Sequence, residues 1–162
     1  MLTNRYPHVF SPIQIGPVRL KNRLGFAPMV CNKCTVDGTV TDSMVEFVYD
    51  QSTTGVGYVT IGDTQVDDDL GGAFMATLNI ARKTSIPGMI KLTEAAQFGG
   101  AVLSVELNHS GRGAKDDLTN GQPIGPSAVC FPRCSQNVRP MEKEDLERVK
   151  GLFVHCAKQC VK

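Results

Sequence analysis

Three apolar runs recur along this chain, at residues 23–29, 56–61 and 101–107, and each breaks at its C-terminal end into polar or charged side chains. Strands covered on both faces read as near-continuous apolar runs, whereas half-exposed antiparallel strands alternate. Helical patterns separate the runs. In residues 42–52, Met44, Phe47, Val48 and Gln51 recur at helical spacing behind the capping-box pattern Ser43-x-x-Glu46, and Gly55 follows as a stop. Pro87 suits the first turn of a second helix over 87–98, with Met89, Leu92 and Ala96 inward and Gly99-Gly100 ending it. A third helix spans 142–160, with acidic residues in its first turn and Leu146, Val149, Phe153, Cys156 and Cys160 on one stripe. Strand–helix alternation forces parallel strands joined by right-handed crossovers.

The segments 9–15 and 18–20 flank Gly16-Pro17 and read as a short hairpin ahead of this alternation. The expected fold is therefore α/β, a hairpin plus about three βα units. Residues 67–84 are irregular, and their Asp67-Asp68-Asp69 run reads as a solvated loop rather than a cation site. Residues 113–140 are rich in Gly, Pro, Asn and Ser and predict a long loop over the C-terminal ends of the strands, where long loops carry function.

The 17 Lys and Arg residues are scattered among 16 Asp and Glu, for a net charge of +1, which offers no basic footprint for nucleic acid. The N-terminal residues carry no secretion-signal core, and no run approaches the roughly 20 apolar residues of a membrane span, so a cytoplasmic protein is expected. In that compartment the six cysteines read as reduced thiols. Cys31-x-x-Cys34 has the spacing of a zinc clip, which keeps a metal-binding or interaction module as an alternative.

Chemistry concentrates where the runs end. Asn22-Arg23-Leu24-Gly25-Phe26-Ala27-Pro28-Met29 and Glu106-Leu107-Asn108-His109-Ser110-Gly111-Arg112 resemble the Old Yellow Enzyme family, the NADH:flavin oxidoreductases and 2,4-dienoyl-CoA reductase-like enzymes. Further similarity lies in Phe10-Ser11-Pro12-Ile13 with Leu20-Lys21-Asn22-Arg23, in Gly57-Tyr58-Val59-Thr60-Ile61, and in Gly125-Pro126-Ser127-Ala128. The resemblance implies an FMN-binding (β/α)8 TIM barrel whose hairpin plugs the bottom. Such a barrel needs roughly 250 residues, so residues 1–162 are expected to be the N-terminal portion of one barrel domain. A truncated fragment without independent activity is the second alternative, and an exposed sheet edge would promote self-association.

The resemblance also implies an activity: NAD(P)H reduces FMN, and the flavin passes hydride to an activated C=C bond of an enone or enoyl thioester. An iron-sulfur cluster is implied only for a longer parent protein. The flavin ring would meet Ala27, Pro28, Met29 and Val30 at the end of the first strand, Asp63 at the second, and Glu106 at the third. This chain departs from the family at three of these places. Val30 stands where relatives carry a polar side chain, leaving only its backbone N–H to donate. Glu106 replaces a Gln that both donates and accepts, so an ionised Glu106 would accept N3–H while disfavouring negative charge on the reduced ring, or else would have a raised pKa. Asp63 occupies a position usually held by a small residue.

In the family the fourth strand carries paired hydrogen-bond donors for the substrate, so the main catalytic residues are expected beyond Lys162. His109 and Arg112 are the catalytic candidates within the chain; the competing reading is that His109 orients the end of the third strand and Arg112 anchors a loop or carboxylate.

Overall fold

A computed structural model describes residues 5–161. Lys162, the residue after which a fourth strand and the main catalytic groups are expected, lies outside the described residues, as do residues 1–4. A short helix α1 (Pro7–Phe10) precedes the hairpin β1 (Ile13–Ile15) and β2 (Val18–Leu20), paired antiparallel. Then follow β3 (Gly25–Phe26), α2 (Asp42–Thr53), β4 (Tyr58–Gln65), β5 (Leu78–Asn79), α3 (Ile86–Phe98) and β6 (Val102–Asn108). The two-residue strands β7 (Ile124–Gly125) and β8 (Arg139–Pro140) lead into α4 (Lys143–Cys160). In the main sheet β4 is central, and β3, β5 and β6 all run parallel to it.

Asn22 sets the start of this sheet. Its buried side chain donates to Gly55 O (2.8 Å) and accepts from Leu24 N–H (3.0 Å), tying the entry of β3 to the turn before β4. Gly57 packs so closely on it that a Cβ there would lie 2.5 Å from Asn22 O. From this point β4 and β6 run in register from Tyr58↔Val102 to Ile61↔Val105. The ladder then shifts across the cis Gly62–Asp63 peptide and resumes at Thr64↔Leu107.

The helices cover one face of the sheet. Met44 and Val48 of α2 and Leu92, Ala95 and Ala96 of α3 enclose Ile61 and Leu78, with Leu103 packed against them. Cys156 of α4 joins Val66 and Ile80, with Phe153 and Leu107 alongside. Because side chains alternate along a strand, Ser104, Glu106 and Asn108 of β6 point to the opposite face, as do Tyr58 and Thr60 of β4.

Several sequence expectations need correction. The first strand pairs only at Gly25–Phe26, and residues 27–30 beyond it have no regular secondary structure. The first arm of the hairpin starts at Ile13, because 7–10 form a helical turn. The second strand runs on to Gln65, held by Asn108 and by β5, which lies inside the segment read as irregular. The cap of α2 is Thr41, which accepts from Met44 N–H (3.2 Å), not Ser43. Leu146 is 55% exposed and Cys160 is exposed, so of the expected stripe of α4 only Cys156 is buried, with Val149 and Phe153 half-buried.

The largest correction concerns Asp67, expected in solvent. Its side chain is 2% exposed, and His109 Nε2 (3.0 Å) and Arg148 Nη2 (2.7 Å) both donate to its Oδ2. Its Oδ1 accepts from Asp69 N–H (3.0 Å). One carboxylate thus joins the ends of β4 and β6 to α4. Asp68 is engaged as well, by Asn79 and Arg82.

Burial alone would raise the Asp67 carboxyl, but the donors from His109, Arg148 and Asp69 outweigh it and hold the group well below the usual carboxylate range. A depressed folded pKa contributes stability above the unfolded value, about 4, and that contribution is lost as pH falls further. Asp67→Asn is expected to lose about 2 kcal/mol at neutral pH, since Arg148 is 37% exposed and partly screened. In denaturant titrations its acid limb below about pH 4 should be flatter than that of the wild type. Leu92→Ala should cost about 2–5 kcal/mol, and Val36→Ala on the surface less than about 0.5, read from the same denaturation midpoints.

Candidate functional site

At the C-terminal ends of the parallel strands three segments meet over Gly62. A Cβ on Gly62 would lie 2.6 Å from Pro28 Cβ and would also collide with Glu106 Oε2. The absence of a side chain there lets the chain after β3 and the side chain of β6 close together on β4. The pairing β3–β4–β6 therefore brings Pro28, the Gly62–Asp63 step and Glu106 to one rim. Ala27 and Pro28 are exposed beside it, Met29 is 53% exposed, and Val30 is half-buried. Among the described residues no protein acceptor pairs with the Val30 N–H.

Asp63 projects into this rim. Asn108 Nδ2 donates to its Oδ2 (2.8 Å) and is 3.2 Å from Ser110 Oγ. The other oxygen, Oδ1, is shut off from solvent and has no hydrogen-bond partner. Burial pushes the Asp63 carboxyl up and the charge of Glu106 pushes it further, against the Asn108 hydrogen bond.

At the rim Pro28 packs on Gly62 beside polar groups of opposite capability. Glu106 is exposed and offers acceptors, Val30 N–H is a donor without a protein partner, and Asp63 holds one unsatisfied oxygen. That set fits a flat ring bearing both N–H and C=O groups at its edge.

His109 and Arg112 lie next to this rim with their own partners. Gly111 N–H donates to His109 Nδ1 (3.0 Å), which places the ring proton on Nε2, facing Asp67. Both ring nitrogens are engaged, and the side chain is 3% exposed. The Arg112 guanidinium lies 5.2 Å over the Phe131 ring rather than on a carboxylate.

Cys31 Sγ is 3.4 Å from Met44 Sδ, and Cys34 is buried in the helix-side core. Burial pushes the Cys34 thiol up to about 12, away from the thiolate a metal requires. Among the described residues no group of three or more His, Cys, Asp or Glu could hold a metal ion. Cys130 and Cys134 are unpaired thiols on the long loop.

Sequence reasoning missed Asn108, Asp67 and Arg148. Asn108 had a usable signal, since it stands two residues beyond Glu106 and so shares its strand face. Arg148 had none, because its position on the polar side of α4 matches that of any solvated arginine.

The chain is 28% identical over 94% of its length to an NADH oxidase of Thermoanaerobacter brockii, and spans 24% of that protein. It superposes on an Old Yellow Enzyme from a Pichia species with a TM-score of 0.84 and 26% identity, covering 96% of this chain and 43% of that one. A 2-naphthoyl-CoA reductase solved with 2-naphthoyl-CoA gives a TM-score of 0.85 at 25% identity, covering 96% of this chain and 26% of that one. The chain thus spans between 24% and 43% of these three relatives, and its parallel βα units are part of a TIM barrel. Residues 8–162 match the family model described as NADH:flavin oxidoreductase / NADH oxidase, and the chain belongs to that family.

Proposed function

We propose that this chain supplies the flavin-ring rim of an FMN-dependent oxidoreductase that takes hydride from NAD(P)H and passes it to an activated C=C bond, as in an enone or enoyl thioester. The observation that carries the reading is the convergence of Pro28, Gly62–Asp63 and Glu106 at the C-terminal ends of parallel strands, where barrel enzymes place their sites. Bound FMN would supply the ring that accepts and returns the hydride.

The chain's own residues bind and tune that ring. Ala27, Pro28 and Met29 give it a surface without charge, and the Val30 N–H donates to an acceptor on its edge. Glu106 accepts its N–H. An ionised Glu106 so close also disfavours the negative charge of the reduced ring, which makes the flavin a stronger reductant. His109 and Arg112 act here as positioning groups, the first fixing the turn after β6 and the second stacking the long loop through Phe131. The outer edges of β3 and β6 take no strand among the described residues, and we propose that further strands of the barrel pair there and bring the groups that polarise the acceptor.

Spectroelectrochemistry of the FMN-loaded full chain tests this assignment. Glu106→Gln should raise the flavin midpoint potential by about 30 mV, a tenfold change for a two-electron couple. An unchanged or lowered potential would remove Glu106 from the ring.

A further inference from the structure

Four arginines are half-buried among the described residues, and three of them are paired with carboxylates. Arg82 holds Asp68 (2.6 Å), Arg139 holds Asp145 (2.8 Å) and Arg148 holds Asp67 (2.7 Å). Arg112 is the exception. Its guanidinium lies 5.2 Å over the Phe131 ring, and among the described residues its side chain has neither a carboxylate within ion-pair distance nor an oxygen accepting from it. A ring face holds a guanidinium by its charge and leaves its five N–H donors without an oxygen partner. The stem is held as well, since a Cβ on Gly125 of β7 would lie 3.0 Å from Arg112 Cβ. Partial burial thus takes water from this cation and returns no acceptor.

Arg112 stands four residues past Asn108, whose amide touches both Asp63 and Ser110 Oγ, so the turn that carries it opens from the rim. The rim itself holds two carboxyl groups, Asp63 and Glu106, and an anionic ligand arriving there needs a cation to offset them. His109 is committed to Asp67. In barrels of this kind a cofactor phosphate commonly sits at the loops after strands seven and eight, whereas Arg112 follows β6, the strand of the third βα unit.

We propose that Arg112 binds a carboxylate on the substrate, so that the site selects conjugated C=C compounds carrying that group over neutral enones. This rests on the flavin reading above and names the substrate class for it. A guanidinium fork meets a carboxylate through two parallel N–H···O bonds, which an ammonium cannot match. One fork beside an acidic rim offsets one negative charge, which suits a monoanion better than a phosphate. Lys115 lies 5.9 Å over Phe74 and likewise has no carboxylate within ion-pair distance, so it serves as the control for charge without a fork.

The test follows the arginine Nε–H signals of the full chain by nuclear magnetic resonance, with and without FMN. The probes are crotonate, its uncharged counterpart crotonamide, and inorganic pyrophosphate. Crotonate should shift the Arg112 signal saturably and bind about tenfold more tightly than crotonamide. Arg112→Ala should erase that preference, Arg112→Lys should keep only part of it, and Lys115→Ala should leave it within about twofold, as for an exposed charge. Equal affinity for crotonate and crotonamide, a preference that survives Arg112→Ala, or an equal loss in Lys115→Ala would overturn the assignment. Tighter binding of pyrophosphate than of crotonate at the Arg112 signal would also overturn it, giving the fork to a phosphate such as that of the nicotinamide dinucleotide. FMN binding without a crotonate response sinks the carboxylate site alone, and a crotonate response in a chain that never binds FMN sinks the flavin reading alone.

Discussion

The parallel ladder between β4 and β6 is the constraint on which this structure depends. Strands running the same way finish at the same end, so Asp63 and Glu106, far apart in sequence, reach one rim without a special contact to bring them there. The register shift between Ile61 and Thr64 then decides which side chains meet. After the shift Asn108, not Leu107, can reach the Asp63 carboxyl, and Glu106 comes to lie over Gly62. A one-residue slip would turn this face of β6 into the helix side and bring Leu107 to the rim.

A ladder sets direction but not the rigidity of the loops beyond it, and Asp67 supplies that. It collects two side-chain donors, from the turn after β6 and from α4, and one backbone donor from its own turn. The His109 ring is locked in one tautomer between Asp67 and Gly111 N–H, so the turn that carries Arg112 is fixed to the same carboxylate. The rim and the helix face thereby share a single charged anchor. This explains why a histidine next to the rim can be important to the site without touching a ligand.

The alternation of strands and helices was legible in the sequence because each apolar run was long, and each helix carried its own start or stop signal. Helix bounds for α3 and α4 came within a residue or two for that reason. Strand β5 was hidden because two residues, Leu78 and Asn79, give no periodicity, and they pair only because β4 runs past its apolar core. The acidic run 67–69 misled for a related reason. Local composition sees three adjacent charges, whereas the fold delivers Arg148, 81 residues downstream, to the first of them. Proximity of Pro28, Asp63 and Glu106 could be argued from strand order alone, but the division of work between the two acids depended on how deeply each is buried.

That division follows from depth rather than from residue type. Asp and Glu differ little in intrinsic acidity, so a shared environment would leave no reason for one to hold the proton. Here the shorter side chain leaves Asp63 close to the backbone of β4, with Oδ1 enclosed, while the extra methylene carries the Glu106 carboxyl out over Gly62 toward solvent. Solvation stabilises the charge on the exposed group, and that charge in turn disfavours a second one close by.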